Sequence, residues 1–423
     1  MAFRSVLFLK HCLIILAVLA GALLVFSRFG GSELMVGNLV LRAQSGIDYP
    51  LLPPSADAHV ARSDGFGGLR MDEVRPRNVI LFIGDGMGMG HVSAASALLS
   101  GPGSTLAMAD TPFVGLMRTW ASNNLVTDSA AAATAMATGH KTRKKSLGVL
   151  EDGRPVRNLF EAARARGLAT GVITTAGLAG ATPAGFMVHV ASRDDYAAIL
   201  EQMLDSGSEI LIGGDWAGKP KARLNYPYMK MIGNSEALGA AQGYTVVHDA
   251  AALEDADGPV LALFPARPGS RTDYGPPLAI STRRALKILS DEGRRFLLMV
   301  ESEITDESAH DNDIAAVMDG MRELDEAVAL ALTEFAANND TLILVTADHE
   351  TGGLGLDDGR YERGRAIVRW ATDYHTSTWV PVFAFGPGAE VFTGVLDNTE
   401  LAQRISSALG LETLPQLADS SSD

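Results

Sequence analysis

The sequence predicts an α/β protein with a doubly wound, mostly parallel central sheet flanked by helices. Three observations predict it. Short apolar runs alternate with stretches of helical periodicity, the pattern of strands joined by crossover helices. The runs are short and continuously apolar, as in buried strands. Clusters of Asp, His and Gly come after several of them, and open α/β sheets bind ligands at the carboxyl ends of their strands.

The elements run in order along the chain. A strand is expected over 79–83, a helix over 91–100, a strand over 113–119 and an Ala-rich helix over Ser129–Thr138. An amphipathic helix over 156–166 and a strand over 169–175 come next, then a helix over 194–206 and a strand over 209–212. The remainder reads as a helix over Leu278–Asp291, a strand over 296–300, a long helix over 314–337, strands over Thr341–Thr346 and Val380–Phe385, and a helix over 400–408. There is no internal repeat. The chain divides into an N-terminal segment at 1–27, a linker or wrapping arm at 28–75, a main domain at 76–412 and a polar tail at 413–423.

Composition narrows the function. With 423 residues and 47% apolar content, the chain has ample material for a large core. A net charge of −15 argues against nucleic acid as a partner, because phosphate backbones demand clustered Lys and Arg. If phosphate is handled, the positive charge must be local. Cys12 is the single cysteine, so no intrachain disulfide forms and thiolates build no zinc site. A metal must be held by His, Asp and Glu. Arg4 and Lys10 precede an uncharged run over 12–26, shorter than the ~20 residues that span a bilayer comfortably. The run fits a secretory signal or an uncleaved membrane anchor, and the residues leave these two open. Either predicts an exported protein, periplasmic or extracellular.

Asp85 lies among glycines directly after the first strand, where the turn leaves its carboxylate free to approach an ion. Glu301, Asp306 and His310 come after another strand. Asp306 and His310 are four apart and share a face if helical. Acids with an imidazole suit zinc and magnesium, although an acidic helix start explains the run equally well. Asp348 and His349 can share one ion only if the chain has left its strand, since neighbours on a strand point to opposite faces. His375 precedes the strand at Val380–Phe385. Asp128 and Ser129 open the Ala-rich helix, as ordinary capping residues do. The same helix end offers free N–H groups to a phosphate, and Ser129 could attack phosphorus if a metal lowered its hydroxyl pKa. Thr182 and Arg193 lie on one loop after the 169–175 strand, and an arginine there could clamp phosphate as a planar fork.

Six stretches together resemble the alkaline phosphatase family: 78–90 (NVILFIGDGMGMG), 126–141 (VTDSAAAATAMATGHK), 174–193 (TTAGLAGATPAGFMVHVASR), 301–310, 346–353 (TADHETGG) and 375–388. They run in family order over most of the chain. The resemblance implies a phosphomonoesterase with two zinc ions and one magnesium, acting on small phosphate monoesters. It implies that Asp306, His310 and His375 hold one zinc and that Asp85, Asp348 and His349 hold the second. It implies that Asp85 bridges to a magnesium also bound by Thr182 and Glu301. Ser129 is similar in place to the nucleophile and Arg193 to the phosphate clamp, with Asp128 steadying the arginine. Two metals so placed clamp both in-line oxygens of a displacement. The family also implies a homodimer.

Two residues depart from the family pattern. Gly180 stands where many members carry Asp or His, and Glu307 where they often carry Lys, Trp or His. The residues they replace usually help organise the magnesium's waters, so weak magnesium binding is expected. Only 26 positions separate His349 from His375, which leaves room for a small cap insertion and an open site. Within enzymes, the alternatives are a phosphodiesterase or a sulfatase on the same scaffold. Outside them, the alternative is a non-catalytic phosphate- or metal-binding protein.

Overall fold

The computed structural model of the chain describes residues 33–36, 39–42, 47–50, 75–101, 104–215, 235–265, 274–291, 293–335, 339–360, 363–412 and 414. The N-terminal segment at 1–27 and the tail at 413–423, Leu414 excepted, lie outside the described residues. Within the expected arm lie strands β1 (Glu33–Val36), β2 (Leu39–Arg42) and β3 (Ile47–Pro50).

The main domain begins with β4 (Asn78–Gly84), α1 (Met89–Ala95), β5 (Phe113–Arg118), α2 (Ser129–Thr138), α3 (Leu159–Ala165), β6 (Ala169–Gly177) and α4 (Ala181–Gly185). It continues through α5 (Tyr196–Asp205), β7 (Ile210–Gly214), α6 (Ser235–Ala241), β8 (Thr245–Val247), α7 (Ala250–Asp255) and β9 (Val260–Phe264). Next come α8 (Leu278–Asp291), β10 (Phe296–Ser302), α9 (Ile304–His310), α10 (Ile314–Phe335), β11 (Thr341–Thr346) and β12 (Glu350–Thr351). The chain closes with β13 (Gly355–Arg360), β14 (Arg365–Arg369), β15 (His375–Thr376), β16 (Val380–Phe385), β17 (Gly394–Asp397) and α11 (Asn398–Leu409).

Ten strands form the central sheet in the order β17-β5-β16-β11-β4-β10-β6-β7-β9-β8. Only β16 runs against the rest: its pairings with β11 and β5 are antiparallel, and the other seven are parallel. The inner strands β4, β6, β10 and β11 are buried along their whole length. They therefore read as unbroken apolar runs, and helices cover them. One helical group, α8 and α10, packs on β4, β6, β10 and β11; a second, α2, α3, α4 and α11, packs around β4, β6 and β10.

Local chemistry sets the boundaries. The amphipathic pattern at 156–166 suggested a longer helix than α3. Val156 donates its N–H to Gly148 O at 2.9 Å and so is committed outside the helix. Asn158 and Glu161 then form a reciprocal capping box that starts it. Strand β10 extends two residues beyond its apolar run, which places Glu301 inside the ladder, opposite both Ile83 and Thr174. The cap between His349 and His375 is the hairpin β13–β14, completed by β3 from the arm into a three-stranded sheet.

Helix α2 is buried at all ten positions, which explains its alanines: it has no solvent face. Asp128 caps its start, accepting from Ala131 N at 3.2 Å, and Gly139 ends it in the left-handed region at φ 77°. Its neighbour α4 approaches closely through Gly185, where an added Cβ would lie 2.5 Å from Ala133 Cβ. Gly185→Val should therefore overpack this contact and destabilise the protein by about 1–3 kcal/mol. Thermal unfolding followed by circular dichroism checks it, and an unchanged melting temperature would contradict the packing.

Candidate active site and metal centre

The parallel strands β4, β10, β6 and β11 lie side by side and end on one edge of the sheet. The loops leaving their carboxyl ends therefore meet there. Strand β16 runs the opposite way, so the segment preceding it, with His375, starts at the same edge. The short pairing β12–β15 sets Thr351 opposite His375 and draws the two loops together.

Three donor groups result. Asp306, His310 and His375 form the first, Asp85, Asp348 and His349 the second, and Asp85, Glu301 and Glu303 the third. In each, the ligating atoms lie within 4.8 Å of one another. In the first, His310 Nε2 is 3.3 Å from Asp306 Oδ2, His375 Nε2 is 3.6 Å from Asp306 Oδ1, and the two Nε2 atoms are 3.1 Å apart. In the second, His349 Nε2 is 3.4 Å from Asp85 Oδ1 and 3.2 Å from Asp348 Oδ2.

The hydrogen bonds behind these groups fix which atoms carry lone pairs. His310 Nδ1 lies 2.7 Å from Asp373 O, and His375 Nδ1 lies 3.0 Å from Thr127 O. A carbonyl only accepts, so each Nδ1 carries the proton and each Nε2 is left bare. Thr351 Oγ1 donates to Asp306 Oδ1, and His349 Nδ1 lies 3.3 Å from the same hydroxyl. With its proton spent on Asp306, that hydroxyl accepts from His349 Nδ1–H, which again leaves Nε2 bare. Backbone amides of Gly86 and His349 hold Asp348 Oδ1, at 3.3 and 2.9 Å. Asp348 Oδ2 and Asp85 Oδ1 are buried with no hydrogen-bond partner. Bare imidazole nitrogens and orphaned carboxylate oxygens facing one another would repel; a divalent cation between them satisfies all of them. The donor sets thus fit metal ions.

The electrostatics agree. Burial and the Asp348 charge push the Asp85 carboxyl well above the usual range. Burial, then Asp306, pushes Asp348 up to about 8, and burial pushes Glu301 up to about 7. Burial, then the neighbouring His375, drives His349 well below the usual imidazole value. Asp306 differs: burial opposes its charge, but the hydrogen bond from His310 and the nearby imidazoles outweigh burial and hold it low. The first group opens to solvent, with His310 side chain 33% exposed; His349 in the second is fully enclosed.

Ser129 is the first residue of α2, and its Oγ lies 3.3 Å from His349 Nε2. Beside it, Asp128 Oδ2 accepts from Arg193 Nη1 at 3.4 Å. Lys145 N donates to both Asp128 oxygens, at 3.2 and 3.0 Å, and Lys145 O accepts from Arg193 N at 2.7 Å. Lys145 adopts φ 73°, a left-handed conformation that this double attachment holds in place. Arg193 keeps 28% of its side chain exposed, so its guanidinium can still meet a ligand from the mouth.

All eleven residues singled out in the sequence gather at this edge. Thr182 Oγ1 donates to Asp85 Oδ2 at 3.3 Å, on the side away from His349. Gly86 sits at φ 72°, where an added Cβ would lie 2.8 Å from Asp306 Oδ1; no other residue fits between the donor groups. Glu350 turns away and binds the amides of Gly353 and Leu354 and the Thr376 hydroxyl. Thr351, Thr174 and Glu303 were not singled out. A threonine carries no ligand signal in sequence, and Glu303 is lost among the acids of its run.

Fold and site together define a hydrolase of α/β architecture with grouped divalent-metal donors beside a serine at a helix N-terminus. The alkaline phosphatase family profile matches residues 76–213, 240–361 and 355–411. Streptomycin-6-phosphate phosphatase of Streptomyces griseus is 35% identical, over 79% of this chain and 91% of that protein. Alkaline phosphatase 3 of Bacillus subtilis is 30% identical, over 80% of this chain and 89% of that protein. The solved alkaline phosphatase from the Antarctic bacterium TAB5 superposes with a TM-score of 0.69 at 28% identity, over 80% of this chain and 99% of that one. The chain belongs to the alkaline phosphatase family and is a metal-dependent phosphomonoester hydrolase.

Thr351→Val keeps the side chain's shape and removes the hydroxyl between Asp306 and His349. His349 then loses the partner that fixes its tautomer, and metal affinity should fall about 10–100-fold. Competition for the bound metal with a chelator of known affinity measures this. Unchanged retention would show that Thr351 does not orient the ring.

Proposed function

We propose that the protein hydrolyses small phosphate monoesters through a covalent phosphoserine at Ser129, with two zinc ions and one magnesium. The observation that carries the reading is the meeting of Ser129 Oγ with His349 Nε2 at 3.3 Å, at a helix N-terminus beside Arg193. Asp306, His310 and His375 would hold one zinc, and Asp85, Asp348 and His349 the other. The third ion would lie against Asp85, Glu301 and Thr182. Bound ions would supply Lewis acidity, lowering a hydroxyl pKa and offsetting phosphate charge.

The chain's own groups do the rest. Ser129 Oγ bonds to phosphorus as the ester P–O bond breaks on the opposite side. The hydroxyl proton passes to solvent, and the departing alkoxide takes one up. Water then attacks the phosphoserine, restores Ser129 and releases inorganic phosphate. The N-terminus of α2 and the Arg193 fork hold the non-bridging oxygens, where charge must be stabilised. Asp128 fixes Arg193 and the helix start together, so clamp and nucleophile share one anchor. The Streptomyces relative, a streptomycin-6-phosphate phosphatase, supports a small monoester as substrate. Export, with the run over 12–26 as leader or anchor, and a homodimer complete the proposal. Among the described residues, no helix is long and apolar enough to cross a membrane.

Elemental analysis after desalting should find about two zincs per chain, as the two mixed His/Asp groups imply. Full activity in EDTA with no zinc bound would sink the metal assignment. Ser129→Ala should lower turnover about a thousandfold or more while leaving zinc content unchanged. The unmodified enzyme should also transfer phosphate to added Tris, and it should retain configuration at a chiral phosphorus, because two in-line displacements restore it. Inversion would rule out Ser129 as a covalent nucleophile.

A further inference from the structure

The third donor group contains a residue that the proposed three-ion site does not use. Glu303 caps the start of α9, one residue beyond the end of β10, and its carboxylate approaches those of Asp85 and Glu301 to within 4.8 Å. Its backbone is pinned, with N donating to Thr175 Oγ1 at 3.0 Å and O accepting from Asp306 N at 3.1 Å. Among the described residues, no hydrogen bond or ion pair engages its carboxylate. Glu301 is fully buried. Thr174 takes its Oε2 at 2.5 Å, and its Oε1 has no partner. A buried oxygen without a partner, beside two further carboxylates, calls for a cation.

The chemistry of the donors sets the kind of cation. The first two groups mix imidazole nitrogen with carboxylate oxygen, which suits zinc. The third offers oxygen alone: Asp85, Glu301 and Glu303, with the Thr182 hydroxyl against Asp85. Such a set selects a hard ion such as Mg²⁺ or Mn²⁺. Gly180 caps the start of α4, two residues before Thr182, and contributes no side chain of its own. Glu303 brings a carboxylate to this group from the end of a different strand.

Building on the three-ion reading, we infer that Glu303 is a direct ligand of the third, oxygen-only site, giving it three carboxylates and making it bind magnesium tightly despite Gly180. This reverses the weak binding expected from Gly180 and Glu307. A third carboxylate adds charge attraction to the ion, and it relieves its own repulsion from Asp85 and Glu301 only when the ion is present.

The test uses the full zinc-loaded enzyme, with two zincs per chain verified, and measures Mg²⁺ binding by calorimetry and Mn²⁺ binding by electron paramagnetic resonance. Glu303→Gln should weaken Mg²⁺ binding at least about tenfold, the lower end of what a lost metal-shell partner costs. Zinc content and melting temperature should stay unchanged. Glu303→Asp keeps the charge but shortens the reach, and should fall between the two. Equal Mg²⁺ affinity in all three proteins overturns the role of Glu303 and leaves the three-ion reading intact. A wild-type enzyme that binds zinc but no third ion overturns both. Loss of zinc together with magnesium in both variants assigns Glu303 a structural role and overturns the proposal.

Discussion

Asp85, Glu301, Asp306 and Asp348 are buried together at one edge of one sheet, and that concentration of negative charge is the constraint on which the rest of the site depends. Carboxylates driven into a low-dielectric interior either take up protons or find cations. Burial pushes the carboxyls of Asp85, Glu301 and Asp348 upward, and the bare Nε2 atoms beside them offer a cation its nitrogen ligands. Asp306 is the hinge of the arrangement. It receives the Thr351 hydroxyl and faces His310, His349 and His375, so the first two donor groups share one support.

The sheet makes this concentration possible. Four adjacent parallel strands deliver four loops to one edge, and the reversed strand β16 delivers a fifth from its start. Strand β10 lies at the centre of the four, between β4 and β6. Its last residues and the short helix α9 contribute Glu301, Glu303, Asp306 and His310 within ten positions. The ladder leaves these donors little freedom: Asp85 N bonds Ser302 O at 3.0 Å, directly continuing the β4–β10 register. A metal site built on such rigid elements is pre-organised, and little ordering cost remains when an ion binds.

Asp128 plays the matching role around Ser129 and Arg193. One carboxylate caps α2, binds Lys145 N and meets Arg193. Ser129 position, helix dipole and guanidinium direction are thereby coupled. Thr127, one residue earlier, holds the His375 ring through its carbonyl, so the serine segment is also tied to the metal side. Ser129, Arg193 and the His/Asp donor groups are positioned by a continuous hydrogen-bonded path.

Much of this was legible in the sequence. The inner strands β4, β6, β10 and β11 announce themselves because full burial demands unbroken apolar runs. Helix α2 is legible at both ends, because its cap Asp128 and its terminating Gly139 obey local rules. Strands β8, β13 and β14 were not legible: β8 is three residues long, β13 is exposed, and β14 pairs on its other side with β3, far earlier in the chain. The candidate donors were legible as types at strand ends, and the resemblance implied a role for each. Which atoms face the centre was not. Thr351 fixes a histidine tautomer, and Glu303 reaches the third donor group, only because β12 and α9 turn back over the edge of the sheet. Sequence encodes local preference and burial, whereas a donor set is a relation among side chains that only the packed strands bring within a few ångströms.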